Sequence, residues 1–227
     1  MSRTPERSAS KQPERTAFDR TAAQQRLRTE RFDVLVIGAG ITGAGVALDA
    51  AERGLRVALL DKADFASGTS SKSSKLVHGG LRYLQQREFL LVYEALAERQ
   101  RLLRNAPHLV SVLPFLIPLF GKDGMVNKTV AKTYSTALWL YDITGGLRIG
   151  KRHKKISRDE ARAHLPTVRM DRLVQGWLYY DARADDARLT LTIARTAAAE
   201  YGAVLANYTP VAGLLSTGDG RVVGVRL

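Results

Sequence analysis

The stretch that most constrains this chain is residues 33–61, DVLVIGAGITGAGVALDAAERGLRVALLD. Residues 33–37 are a short, mostly apolar run with β-branched members, the pattern of a buried parallel strand. Gly38-Ala39-Gly40 then turns the chain sharply. Residues 41–53 carry apolar, alanine-rich positions at helical spacing, and Gly54 stops them. Residues 56–60 form a second apolar strand with Asp61 just past its end. This is a complete strand–helix–strand unit of about 30 residues. Within it, Gly38-Ala39-Gly40-Ile41-Thr42-Gly43 is the G-x-G-x-x-G pattern of a dinucleotide site. Gly38 permits the tight turn. Gly40 lets a pyrophosphate approach the backbone. Gly43 lets the helix pack close to the strands. The helix N-terminus offers unpaired N–H groups and a positive dipole end. Asp61 can accept from a ribose hydroxyl, and its charge disfavours a 2′-phosphate. The competing reading is a tight strand–helix turn without ligand; the strand, helix and acid together weigh against it. The fingerprint alone does not separate FAD from NAD.

The rest of the chain divides around this unit. Residues 1–31 are polar and read as a flexible N-terminal extension, with helical character only around 22–30. Residues 32–110 read as the first part of the nucleotide domain, 111–180 as the start of a second domain, and 181–227 as a return to the first. A long amphipathic helix is expected over 88–105, with Leu91, Ala95, Leu96, Leu102 and Leu103 on its buried face. Further helices are expected over 128–143, 157–164 and 185–200. That over 157–164 has Ser157 and Glu160 placed for a capping box. Strands are expected over 113–120, 177–180, 204–206, 211–215 and from 222. The chain stops inside the last of these, which reads as an incomplete molecule.

Composition narrows the function classes. Cysteine is absent, so disulfides, thiolate zinc sites and cysteine nucleophiles are excluded. The formal net charge is +13. The basic residues are spread out, with no zinc-finger spacing or RNA-reading motif, so nucleic acid is not an expected partner. The one dense cluster, around Lys151-Arg152-His153-Lys154-Lys155, reads as a solvated loop; an anionic lipid surface is the alternative. The apolar run 109–120 is too short to span a bilayer and contains Pro114 and Pro118. No secretory signal precedes the first strand. The expected location is cytoplasmic, with peripheral attachment to the membrane left open.

Residues 68–84, GTSSKSSKLVHGGLRYL, concentrate small hydroxyls, glycines and cations. Such a loop suits an extended, doubly charged cofactor, because hydroxyls and amides donate to phosphates and Gly79-Gly80 allows close approach to a flat ring. A polar surface loop is the plain alternative. This stretch resembles the signature of FAD-dependent glycerol-3-phosphate dehydrogenases. The following EFLLVYEALAERQRLLRNAPHLV is similar to the next helix of that family, and Asp185-Asp186-Ala187-Arg188-Leu189 resembles a later element of it.

The resemblance implies an α/β fold: a Rossmann-like FAD-binding domain of the glutathione-reductase/D-amino-acid-oxidase type, with part of an α+β substrate-cap domain. It implies a missing C-terminal part that holds most substrate residues. The implied reaction oxidises sn-glycerol 3-phosphate to dihydroxyacetone phosphate, with hydride to flavin N5 and electrons on to a quinone. By the same resemblance Gly38, Gly40, Ile41, Thr42, Gly43 and Asp61 hold the ADP half of FAD. Thr69, Ser70, Ser73, Ser74, Lys75, Leu76 and His78 line the path to the flavin. Arg82 and Tyr83 lie near the substrate. Arg82 offers a fork of donors suited to a phosphate dianion, and is otherwise an ordinary surface arginine. His78 is a candidate for a catalytic proton role, although a lone histidine more often satisfies a backbone partner. Val211 packs on the adenine or belongs to plain core. No metal ligands are expected. Three alternatives stay open: a glycerol-3-phosphate oxidase that passes the electrons to oxygen, another FAD oxidoreductase of the amino-acid-oxidase fold, and a nucleotide-binding module without catalysis.

Overall fold

A computed structural model describes residues 18–80, 83, 86–121 and 127–227. The chain divides into two compact units: residues 1–73 with 186–227, and residues 74–185. The boundary thus falls at Ser74, not after residue 110, and the long helix over 89–105 belongs to the second unit.

In the first unit, β1 (Val34–Ile37) runs parallel to β2 (Val57–Leu60), and β2 runs parallel to β7 (Val204–Ala206). Helix α2 (Ile41–Glu52) makes the β1-to-β2 crossover. It packs on α6 (Asp186–Tyr201) through small side chains: Ala44, Ala47 and Ala51 with Ala194 and Ala197. Alanines at this spacing let two helices approach closely and still cover the sheet. All four β2 residues are buried because both faces are covered. Val57 and Leu59 belong to the core with α2 and α6; Ala58 belongs to a second cluster with Val204 and Ala23.

Ala23 lies on α1 (Arg20–Thr29), in the stretch expected to be a flexible extension. Asp19 caps this helix by accepting from the N–H groups of Thr21 and Ala22. Arg20 donates to the carbonyls of Asn207 and Tyr208. The folded unit therefore starts before Phe32. The sequence reading missed this because the buried face of α1 rests on an alanine and Leu27 alone. An antiparallel pair, β8 (Gly213–Ser216) and β9 (Val222–Arg226), completes the unit. Val211 lies ahead of β8 and not in the strand expected to hold it.

The second unit is built on one long central strand, β6 (Leu173–Ala184). One side of β6 pairs antiparallel with β4 (Val110–Phe120). The other pairs with β3 (Leu76–Val77) and β5 (Lys154–Ile156). Only residues 177–180 of β6 were expected as strand, and β5 was not expected, since its lysines hide the pattern. Pro114 and Pro118 are accommodated because, among the described residues, β4 pairs with β6 alone. Helices α3 (Phe89–Asn105), α4 (Lys128–Thr144) and α5 (Arg158–His164) complete the unit. The capping box at α5 forms as expected: Glu160 N–H donates to Ser157 Oγ, and Ser157 N–H to the Glu160 carboxylate. The buried face of α3 is Val92, Leu96 and Arg99, whereas Leu91 is exposed. Among the described residues, no helix is long and apolar enough to cross a membrane.

Two outcomes follow for the first unit. A Cβ at Gly43 would come to 1.9 Å from the Gly38 carbonyl oxygen and 3.3 Å from Val36 Cγ1. Gly43→Ala is therefore expected to cost about 3 kcal/mol, read as a lower urea midpoint. At the other end of β1, Asp33 pairs with the Arg56 guanidinium (2.8 Å) and accepts the Arg56 N–H (2.9 Å). These bonds hold its carboxyl down at about 2. A lowered carboxyl stabilises the fold above its ordinary value of 3.8 and loses that contribution as pH falls toward about 2. In Asp33→Asn, melting temperature should depend less on pH across that window than in the parent.

Candidate functional site

The fingerprint turn lies between the C-terminal end of β1 and the start of α2. Gly38 adopts φ +103°, a conformation that favours glycine, and its N–H donates to the Leu60 carbonyl (2.7 Å). Gly40 is the N-cap of α2 and has no side chain to satisfy the first helical amides. The Ile41 N–H instead donates to Ser70 Oγ (2.8 Å), which also lies 3.1 Å from where a Gly40 Cβ would stand. Thr42 is exposed in the first helical turn. The sequence-predicted residues Gly40, Ile41 and Ser70 are thus brought together. Thr69 and Ser70 lie on a short 3-10 turn, Thr69–Ser71. A glycine-lined helix N-terminus with a serine hydroxyl over it is a donor set that fits a pyrophosphate.

Asp61 has a further task. Its Oδ2 accepts from the Ala39 N–H (2.7 Å), inside the fingerprint, and its Oδ1 from the Ala63 N–H (2.9 Å). Its own N–H donates to Ala206, and its carbonyl accepts from Thr209. The carboxylate thus ties the β2 end to the glycine turn. Each oxygen keeps lone-pair capacity for a ribose hydroxyl. Ser73 donates through both its N–H (3.1 Å) and its hydroxyl (2.6 Å) to Asp186 at the start of α6. Ser73 is thereby a clamp on the α6 start as well as a predicted cofactor residue.

The other predicted residues belong to the second unit. Lys75 takes a left-handed conformation (φ +59°), and its carbonyl accepts from Ala184. Leu76 pairs with Arg183 in the β3–β6 ladder. Ser74, Lys75 and Leu76 line a cavity of about 500 Å³ together with Ser111, Arg183 and Asp185. His78 is exposed. Tyr83 is part-exposed, and its N–H donates to the Gly80 carbonyl (2.8 Å). Arg82 lies outside the described residues.

Residues 33–227 match the family of FAD dependent oxidoreductases. The chain belongs to that family. Its cofactor is FAD, and the donor set at Gly38–Gly43, Asp61 and Ser70 fits that assignment. The chain is 51% identical over 210 residues to a glycerol-3-phosphate dehydrogenase of Mycobacterium leprae, covering 92% of this chain and 34% of that protein. It is 44% identical to the mitochondrial glycerol-3-phosphate dehydrogenase of Rattus norvegicus, covering 87% of this chain and 28% of that one. Among solved structures it resembles the glycerol-3-phosphate dehydrogenase of Bacillus halodurans complexed with FAD. The TM-score is 0.64 at 33% identity, over 91% of this chain and 32% of that one. The chain therefore spans about a third of the length of the curated relatives it matches.

Two buried polar groupings in this flavoprotein chain were not anticipated. In the first, Arg99 and Tyr141 both donate to the Asp181 carboxylate, Tyr141 at 2.7 and 2.8 Å. Burial pushes the Asp181 carboxyl above its ordinary value, against the Tyr141 hydrogen bond and the Arg99 charge. Burial, then the Asp181 charge, pushes the Tyr141 phenol upward, so it remains a neutral donor. The same causes push neighbouring Tyr179 up to about 12. The signal for this grouping was the 92, 96, 99 spacing on α3, which makes Arg99 a core-facing position. In the second, His153 Nδ1 contacts Asp142 Oδ2 (2.6 Å), and the imidazole lies edge-on to Trp139 and tilted against Trp177. The basic cluster holding His153 is not a free loop. Arg148 sits over the Tyr93 ring, Lys151 over Tyr180 and Arg152 over Trp139.

Asp61→Ala removes two charge-assisted bonds to the turn and one ribose acceptor. The full-length protein carrying it should bind FAD about tenfold or more weakly, measured by flavin fluorescence titration.

Proposed function

We propose that the protein carrying this chain oxidises sn-glycerol 3-phosphate to dihydroxyacetone phosphate. The observation that carries this reading is the joint presence of the fingerprint geometry at Gly38–Gly43 and about 50% identity to glycerol-3-phosphate dehydrogenases across nearly the whole chain. FAD, when bound, supplies the N5 acceptor for the hydride from C2, and a quinone takes the electrons onward.

The chain's own residues bind and orient. The α2 N-terminus and the Ser70 hydroxyl meet the pyrophosphate, and Asp61 meets the adenosine ribose. Ser74, Lys75 and Leu76 flank the cofactor's path toward the flavin. On the reading from the family resemblance, His78 would be the candidate for moving the hydroxyl proton. Arg82 and Tyr83 meet the phosphate ester, the guanidinium matching its charge. Val211 packs on the adenine. The basic segment 148–155 is the part of this chain that would make peripheral contact with anionic lipid on the cytoplasmic side, where a quinone acceptor is met.

The test is an anaerobic titration of the purified full-length protein with glycerol 3-phosphate. Bleaching of the oxidised flavin bands is expected. A flavin that stays oxidised here but is reduced by an amino acid or amine would overturn the substrate and favour an amino-acid-oxidase-like activity. A protein that takes up no FAD would leave a nucleotide-binding module.

A further inference from the structure

The turn at Gly79-Gly80 is held from several directions by atoms of its own unit. A Cβ at Gly79 would lie 2.4 Å from Leu96 Cδ2 and 3.0 Å from the Tyr141 hydroxyl. A Cβ at Gly80, where φ is +68°, would lie 2.3 Å from the Tyr83 ring. The turn is therefore shaped by contact with Leu96 and Tyr141 on one residue and Tyr83 on the next.

One hydrogen bond orients it. The Gly79 N–H donates to the Tyr141 hydroxyl oxygen (3.1 Å). That hydroxyl has a single hydrogen, which it gives to Asp181, leaving a lone pair aimed at Gly79. Asp181 is fixed in turn by Arg99, which also donates to the Tyr180 carbonyl (3.3 Å) and the Gly145 carbonyl (3.5 Å). Arg99, Tyr141 and Asp181 are 0%, 1% and 2% exposed.

The plain reading is an ion pair that glues α3, α4 and β6. Desolvating two charges costs several kcal/mol, and buried pairs exchanged for well-packed apolar side chains often leave stability unchanged or raised. Stability alone is thus a weak reason for this pair, whereas a directed acceptor for one loop amide is something apolar side chains cannot supply.

We propose that Tyr141, oriented by Asp181 and Arg99, is a positioning residue that fixes the His78–Gly79–Gly80 turn and, through His78 in the role proposed above, affects the redox step. The inference rests on the functional reading above. A turn released from Tyr141 carries His78 with it and loosens the seat of Tyr83 at Gly80.

The experiment uses the full-length holoprotein with FAD and compares three variants. Tyr141→Phe keeps the ring and removes the acceptor. Arg99→Met with Asp181→Leu exchanges the buried pair for apolar side chains and leaves the hydroxyl unanchored. Ile156→Val, buried in a separate cluster against Leu178, serves as a control for general loss of stability. In the first two, kcat per bound flavin should fall about tenfold or more while KM changes less than about twofold, and the flavin absorption bands should shift. The control should lower the melting temperature and leave both readouts alone. Wild-type kcat and an unshifted flavin spectrum in a folded, FAD-loaded Tyr141→Phe would overturn the proposal. If that variant does not fold, the same outcome in the apolar pair overturns it. Absence of flavin, or of bleaching by glycerol 3-phosphate, in the unaltered protein would instead sink the functional reading, and the inference with it.

Discussion

The first unit depends on how closely α2 approaches the end of β1. The Gly38 carbonyl occupies the space a Gly43 side chain would fill, so the crossover closes only because that position is bare. This proximity directs the first turn of α2 beside the Gly38–Gly40 turn, where the Ser70 hydroxyl covers the Ile41 N–H. Asp61 secures the arrangement from the neighbouring strand by accepting the Ala39 N–H. A single carboxylate thus links sheet register to ligand geometry: a slip of β2 against β1 would move the acceptor away from the turn. The alanine contacts between α2 and α6 serve the same end, holding the crossover helix flat against the strands.

The second unit is organised by a different constraint, a charge withdrawn from water inside a small domain. Asp181 lies on the central strand, and its partners come from two helices. An arrangement that parted Asp181 from Arg99 would leave a buried charge uncompensated, at a cost of several kcal/mol. The His153–Asp142 contact acts similarly around the loop after α4, and stacking of Arg148, Lys151 and Arg152 on aromatic rings leaves that basic segment docked. Its formal charge is therefore presented from fixed positions.

Legibility in the sequence followed the physics of each element. Residues 33–61 were read nearly residue for residue, because local pattern, glycine placement and the terminal acid all express one supersecondary unit. The Ser157–Glu160 capping box was equally local. Strand β6 was underestimated, since Gly176, Asp181 and Arg183 interrupt its apolar run, and only pairing with β4 reveals its length. The α3 face was misassigned at Leu91 because a leucine count ignores Arg99, whose burial depends on an aspartate 82 positions later. The helical character around 22–30 was legible, but its place in the folded unit was not, because tertiary contact with Val204, not local hydrophobicity, secures α1. Of the candidate site, the glycine turn and its neighbours Asp61 and Ser70 were legible as local pattern, whereas the buried grouping of Arg99, Tyr141 and Asp181 was not, because its members lie far apart in sequence.

Strand β4 illustrates a consequence of proline placement. The β6 ladder continues through both prolines, Pro114 opposite Tyr180 and Pro118 opposite Gly176, so the missing N–H groups belong on the other flank of β4. A foreign strand meeting that flank would encounter two absent donors spaced along an otherwise inviting hydrophobic ribbon. The two prolines thus leave the internal pairing with β6 intact while offering no donors to a further strand at those positions.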